Sequence, residues 1–99
     1  MKELNELILL YDYYKDLLTE VQRNYFEKYY FDNLSLAEIA SEYDISRNAV
    51  HKQIKSASEK MYFYEKNLKV IKKTNDLMKE INKITDSKLK EKIIKIIES

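Results

Sequence analysis

Six side chains of the types that contact nucleic acid lie close together in the chain, within residues 46–55. They are Ser46, Arg47, Asn48, His51, Lys52 and Lys55. Arginine and asparagine can form paired hydrogen bonds with guanine and adenine edges, whereas lysine suits phosphate oxygens. A serine that opens a helix adds free backbone N–H groups and a favourable helix dipole, which attract a phosphate. The spacing predicts that one helix presents all six residues.

The same positions also fit the ordinary solvated face of a helix. Taken alone, the charges of Arg47, Lys52 and Lys55 favour that simpler interpretation, because the outer face of a surface helix is generally charged. The residues that precede them, LSLAEIASEYDIS at 34–46, favour a helix-turn-helix instead.

That preceding stretch predicts two short helices joined by a tight turn. Ser35 and Glu38 form a capping box, in which each side chain bonds the backbone N–H of the other residue, and they open a helix of about eight residues. Asp44 stands at the turn position where a left-handed backbone usually requires glycine, and aspartate tolerates that conformation. Ser46 then caps the second helix. Two helices joined in this way form the helix-turn-helix arrangement.

A small core is expected beneath the turn. The three- and four-residue spacing turns Leu36, Ile39, Ala40 and Tyr43 of the first helix inward. Ala40 would lie where the two helices approach most closely, and a larger side chain there would push them apart. Ile45 and Val50 are expected to pack the turn against this core.

The composition restricts the class of protein. A chain of 99 residues with no glycine and no proline lacks the usual turn residues of β-hairpins, which predicts an all-α fold. The absence of cysteine removes thiolate metal sites, and the single histidine excludes motifs built on a pair of histidines. No phosphate-binding loop forms without glycine. We therefore expect no enzymatic activity, no metal and no cofactor.

The expected compartment follows from the termini and the apolar runs. The sequence shows no basic leader, and its longest apolar run, LILLY at 7–11, is far shorter than the roughly 20 residues of a membrane span. A chain without cysteine also fits a reducing environment. The sequence predicts a cytoplasmic protein without membrane insertion.

Further helical segments flank the helix-turn-helix. A helix is predicted over residues 3–18, and a second runs from a capping box of Thr19 and Gln22 to about residue 30. The final helix is expected after TDS, at 85–87. The second helix carries an aromatic face, which we interpret mainly as core: Val21, Tyr25, Phe26, Tyr29 and Tyr30. Tyr62 and Phe63 are the rings expected to be exposed.

A heptad-like seam extends from Val50 to Met78 and predicts either one long helix or two nearly continuous ones. Such a seam packs on the first helix of the same chain or pairs with a second copy, and the second alternative predicts a homodimer. We assign residues 1–64 to a helical bundle that contains the helix-turn-helix at 35–57. Residues 65–99 are assigned to a helical extension that is not an independent domain.

Charge is distributed unevenly along the chain. Residues 1–34 carry 4 basic and 7 acidic side chains, residues 35–64 carry 4 of each, and residues 65–99 carry 10 basic and 6 acidic ones. Affinity for a duplex comes largely from neutralised phosphates. Glu38, Glu42 and Asp44, with the acidic first third of the chain, weaken the positive field that affinity for DNA requires. The lysine-rich end of the chain is the segment that could supply a basic face.

The residues above carry a resemblance. Residues 18–57, LTEVQRNYFEKYYFDNLSLAEIASEYDISRNAVHKQIKSA, resemble the fourth region of bacterial sigma factors. Ser35, Glu38, Ile39 and Ala40 match the supporting helix of that pattern. Ser46, Arg47 and Val50 match the start of its recognition helix, and Asp44 replaces the usual turn glycine. Nearly the whole chain is similar to the YlxM family of small helix-turn-helix proteins.

This resemblance implies a sigma-region-four-like DNA-binding fold, a regulatory role and a part in the signal recognition particle pathway. Three functions follow as alternatives. The first is a DNA-binding regulator, and the second is a protein-interaction or RNA-associated accessory factor of that pathway, with particle components as partners. The third is a structural helical adaptor that dimerises through its seam.

Overall fold

The computed structural model describes residues 2–99 and is all-α, as the composition predicts. Its helices are α1 (Lys2–Tyr14), α2 (Glu20–Tyr30), α3 (Leu36–Tyr43), α4 (Arg47–Leu68), α5 (Val70–Ile81) and α6 (Ser87–Glu98). A short 3-10 turn, Lys15–Leu17, follows α1, so the last turn of the first predicted helix is wound more tightly than expected. Within residues 2–99, none of the helices is both long and apolar enough to cross a bilayer.

The chain divides into two compact units, one ending at Asn67 and the other comprising Leu68–Ser99. The division falls three residues beyond the predicted domain boundary at residue 64. The first unit contains α1 to α3 and nearly all of α4. The second contains α5 and α6, which are in contact, and α6 is capped by Asp86, the middle residue of TDS. That this pair does not fold alone stays a prediction.

Three residues adopt the left-handed backbone conformation that glycine usually adopts. Asn33, Asp44 and Lys69 have φ angles of 57°, 54° and 56°. Lys69 separates α4 from α5, so the predicted seam is two helices rather than one. A left-handed lysine lacks the side-chain hydrogen bonds with which Asn and Asp offset this conformation, which costs roughly 1–2 kcal/mol.

The core beneath the helix-turn-helix joins α2, α3 and α4. Ile39 and Val50 are fully buried, and Ala40 is buried beside them in one cluster with Tyr25 and Ile54. The small side chain of Ala40 therefore lies in the packed region between α3 and α4, as its position predicts.

A second aromatic core joins α1, α2 and α4. The rings of Tyr11 and Phe26 stack with their centroids 4.5 Å apart, and those of Tyr14 and Tyr64 lie 5.9 Å apart. The Tyr11 hydroxyl donates to the Glu27 carboxylate, and burial together with this bond raises the pKa of Tyr11 well above its usual range. Tyr11 and Tyr14 are thus core residues.

Several side chains differ from the predicted core face. Val21, Tyr29, Tyr43 and Ile45 are exposed, because they lie near helix ends or in the turn, where neighbouring helices cover them only in part. Leu10 of α1 is buried. Tyr62 and Phe63 are exposed, as predicted.

Most of the α4 half of the seam is buried within the chain. Val50, Ile54, Ala57 and Met61 have exposures of 5% or less, so they are not free to pair with a second copy. Tyr64 is half-buried, and Leu68, at the end of α4, is exposed. Asn75, the polar residue of the seam on α5, is exposed.

Gln22 connects the start of α2 to α4. Its side-chain oxygen accepts hydrogen bonds from the backbone N–H of Thr19 and from Lys60 Nζ, both at 3.2 Å. Its amide nitrogen donates to Ser56 Oγ at 3.4 Å. The predicted capping box of Thr19 and Gln22 is confirmed, and its glutamine is buried.

We expect Gln22→Ala to lower the free energy of unfolding by about 1–3 kcal/mol, because it removes one of the two hydrogen bonds of the capping box and the side-chain bonds to Ser56 and Lys60 on α4. Urea unfolding followed by circular dichroism measures the change. Gln53→Ala, an exposed glutamine of α4, is the matched control and should change stability by less than about 0.5 kcal/mol. Equal losses in the two variants would contradict the bridging role of Gln22.

Candidate nucleic-acid interface

Two caps hold the turn between α3 and α4. Asp44 ends α3 in the left-handed conformation (φ 54°, ψ 48°), and its N–H and that of Ile45 both donate to the Ala40 carbonyl. Ser46 Oγ accepts a hydrogen bond from the backbone N–H of Ala49 at 3.0 Å. The structure confirms both predicted roles, and the backbone groups freed at the turn are satisfied locally.

A charged bracket holds α3 against α2. Lys28 Nζ lies 3.0 Å from Glu42 Oε1 and 5.9 Å from the centroid of the Tyr43 ring, which packs edge-on against Tyr25. The hydrogen bond to Glu42 raises the pKa of Lys28. These contacts join residues 14 or more positions apart, so no local sequence pattern indicates them.

The bracket also changes the electrostatics of the interface. Glu42 is paired with Lys28, and the Glu38 carboxylate accepts a hydrogen bond from the Ser35 backbone N–H at 3.1 Å. Two of the three carboxylates predicted to weaken the positive field, those of Glu38 and Glu42, therefore bond to other groups of the chain. Asp44, exposed in the turn, remains beside the start of α4.

Burial of Val50, Ile54 and Ala57 sets the rotation of α4 about its axis. At about 100° per residue, Asn48 and Lys52 fall on the side opposite this stripe and Lys55 falls next to them. His51 falls on the flank of the stripe, and Arg47, in the first turn of α4, falls nearer to it. All six predicted site residues are exposed: Ser46, Arg47, Asn48, His51, Lys52 and Lys55.

Most of these side chains have no partner in the part of the chain that the structure describes. There, the side chains of Arg47, Asn48, His51, Lys52 and Lys55 form no hydrogen bond or ion pair. Three of them are cations at neutral pH. The fold therefore leaves one arginine, one asparagine and two lysines on α4 available to an external ligand.

The six residues fall into subsets. Ser46, Asn48, His51 and Lys52 line one shallow depression of about 390 Å³. Arg47 and Lys55 lie outside this depression, and Lys55 lines a different cavity that His51 shares. Among the described residues, no group of three histidine or acidic side chains is close enough to hold a metal ion.

A capped helix, a left-handed turn and a second capped helix with free polar groups define a helix-turn-helix protein. Comparison with known families agrees with this class. The model of the YlxM / p13-like helix-turn-helix family matches residues 1–99. The chain belongs to this family.

Relatives from several bacteria share long aligned segments with the chain. A UPF0122 protein of Caldanaerobacter subterraneus is 45% identical over 80 residues, which are 81% of this chain and 68% of the relative. UPF0122 protein YlxM of Bacillus subtilis is 39% identical over 94 residues, 91% of this chain and 86% of the relative. A UPF0122 protein of Mycoplasma capricolum is 42% identical over 87 residues, covering 88% and 77%.

The turn yields a test with a matched pair of variants. We expect Asp44→Gly to leave the free energy of unfolding within about 1 kcal/mol of the parent, because glycine adopts the left-handed conformation freely. Asp44→Val should cost about 1–2 kcal/mol or more, because a β-branched residue is strained there. Thermal unfolding compares the two variants. A valine variant as stable as the glycine variant would show that the turn relaxes out of the left-handed region.

Proposed function

We propose that the protein is a DNA-binding regulator that places the start of α4 in the major groove of a duplex. The observation that carries this proposal is the set of exposed, unpartnered hydrogen-bond donors on α4, held in place by two caps and one buried stripe. A recognition helix needs this combination, since its backbone must be fixed while its outer side chains stay free.

Each residue has a role that fits its chemistry. Arg47 and Asn48, in the first turn of α4, are placed to contact base edges. Lys52 and Lys55 contact phosphates, and the Ser46 end of the helix binds another phosphate through its backbone N–H groups. His51 faces the groove between these contacts.

The net charge limits how strong this binding is. The first 34 residues carry a negative excess, and residues 35–64 are balanced, so the cations of α4 supply the local attraction. The positive excess of residues 65–99 adds a long-range attraction to phosphates. We expect binding that weakens steeply as salt concentration rises.

A homodimer would let two copies of α4 read half-sites about 34 Å apart, one turn of DNA. Because most of the α4 half of the seam is buried, we place the pairing surface on α5 and α6, where Leu77, Leu89 and Ile96 are exposed. A unit of two short helices cannot bury these side chains by itself.

Sedimentation velocity tests the dimer. Leu89→Lys combined with Ile96→Lys should shift the protein towards monomer at concentrations where the parent is dimeric, because each lysine would face the apolar surface of the partner. Leu9→Lys with Leu17→Lys changes two exposed leucines of the first unit and should have no such effect. A parent that is monomeric throughout would refute the dimer but not DNA binding.

The second candidate is an RNA-associated or protein-binding accessory factor of the signal recognition particle pathway, acting in the cytoplasm. The acidic first third of the chain favours it, because that segment repels a long duplex and leaves a smaller surface for nucleic acid. A pull-down from cytoplasm, with and without nuclease treatment, separates a protein partner from a nucleic-acid partner.

Arg47→Ala combined with Lys52→Ala tests the DNA interface. We expect the double variant to bind duplex DNA at least tenfold more weakly at low salt. The slope of the logarithm of the binding constant against the logarithm of the salt concentration should become shallower by about 0.9 for each lost phosphate contact. Fluorescence anisotropy over a series of salt concentrations measures both quantities. Thermal stability should be nearly unchanged, because both side chains are exposed and unpartnered.

Lys15→Ala with Lys66→Ala is the control, since it removes the same charge from exposed positions of the first unit away from the start of α4. If both double variants weaken binding equally, the attraction is general and α4 is not the reading helix. If the parent binds neither duplex DNA nor RNA at low salt, the nucleic-acid proposal fails.

A further inference from the structure

A groove lies on the first unit, away from the shallow depression at the start of α4. It encloses about 890 Å³ and is bounded by the beginning of α1, the end of α2 and the loop that leads into α3. Its lining includes Leu4, Tyr29, Tyr30 and Leu34. The volume lies in the range of roughly 300–1,000 Å³ that is usual for ligand sites.

A smaller cavity of about 260 Å³ continues this groove towards α4. The two cavities share Glu3, Leu7, Tyr29 and Tyr30 as walls. The lining of the smaller one also includes His51, Lys55 and Tyr62 of α4. Together they form one groove with a wide part and a narrow part.

The walls of the wide part are apolar and aromatic. Leu7 is buried, Leu4, Tyr30 and Leu34 are half-buried, and Tyr29 is 37% exposed. Burial raises the pKa of Tyr30, and the neighbouring Tyr29 and Glu3 add to that effect. The exposed apolar part of these walls is in contact with water. Covering it with another apolar surface lowers the free energy.

Carboxylates surround the wide part. Glu3 and Glu38 line it, and Glu3 together with Glu6 raises the pKa of the nearby Tyr62, after the larger effect of burial. The lysine of the groove, Lys55, lines its narrow part. A phosphate backbone would be repelled from the wide part, so the wide part is not an extension of the nucleic-acid surface, whereas the narrow part shares His51 and Lys55 with it.

We propose that this groove is a docking site for a short amphipathic helix of a protein partner, with leucine or isoleucine on one face and lysine or arginine beside it. The apolar anchors fill the space between Leu4, Tyr29 and Leu34, as helices do in apolar grooves. The basic side chains lie over Glu3 and Glu38, which line the wide part, and Glu6 adds negative charge near Tyr62 of the narrow part. This site operates whether or not α4 binds nucleic acid.

The probe is a fluorescein-labelled peptide of 14 residues, made of two seven-residue repeats. Each repeat has leucine at positions i, i+3 and i+4 and lysine at the other positions. We expect saturable binding to the full chain by anisotropy in the micromolar range. The same peptide with glutamates in place of the lysines should bind at least tenfold more weakly, because it would face the carboxylates.

Two pairs of variants locate the binding. Tyr29→Lys should weaken binding at least tenfold, whereas Tyr13→Lys, which changes a tyrosine of similar exposure outside the groove, should stay within twofold. Glu3→Gln with Glu6→Gln should weaken binding severalfold, and Glu20→Gln with Asp12→Asn should not. Circular dichroism of each variant shows whether it is folded.

Several results would overturn the proposal. They are the absence of saturable binding, equal binding of the lysine and glutamate peptides, and equal effects of Tyr29→Lys and Tyr13→Lys. Displacement of the peptide as the protein concentration rises, abolished by Tyr29→Lys, would identify a second copy as the occupant and overturn a separate partner. None of these readings involves DNA, so they do not depend on the nucleic-acid proposal.

Discussion

The rotation of α4 about its own axis is the constraint on which the rest of the first unit depends. One stripe of this helix, from Val50 through Ile54 and Ala57 to Met61, is buried. A rigid helix with one buried stripe has no freedom to turn, so the position of every other side chain on it is fixed. The exposed donors and the groove-facing residues of α4 are both consequences of that single packing choice.

The composition of the chain explains why many polar contacts lie at helix ends. Without glycine or proline, the chain must close its turns with capping side chains and left-handed polar residues. Thr19, Ser35 and Ser46 each satisfy a backbone N–H at the start of a helix. Gln22 and Lys28 then join neighbouring helices across these ends, which converts local caps into tertiary contacts.

The sequence predicts the elements well because their signals are local. Capping boxes, the left-handed Asp44 and the spacing of Ile39 and Val50 depend only on residues within a turn or two. The prediction that Val21, Tyr29, Tyr43 and Ile45 are buried is wrong, because burial depends on which helix lies alongside. The contacts of Lys28 with Glu42 and Tyr43 are too distant in sequence for a local pattern to show, and Lys69 is not a typical turn residue. The role of the six site residues depends on their chemistry, which the fold alone does not test.

The separation of the buried stripe from the exposed donors has an evolutionary consequence. Residues such as Asn48 and Lys52 contribute nothing measurable to the core, so a lineage could replace them one at a time without loss of the folded state. The framework would persist while its preference for a ligand drifted. A scaffold of this kind can diversify readily, because mutations that change its ligand preference leave the core intact. No compensating mutation is needed to restore the fold.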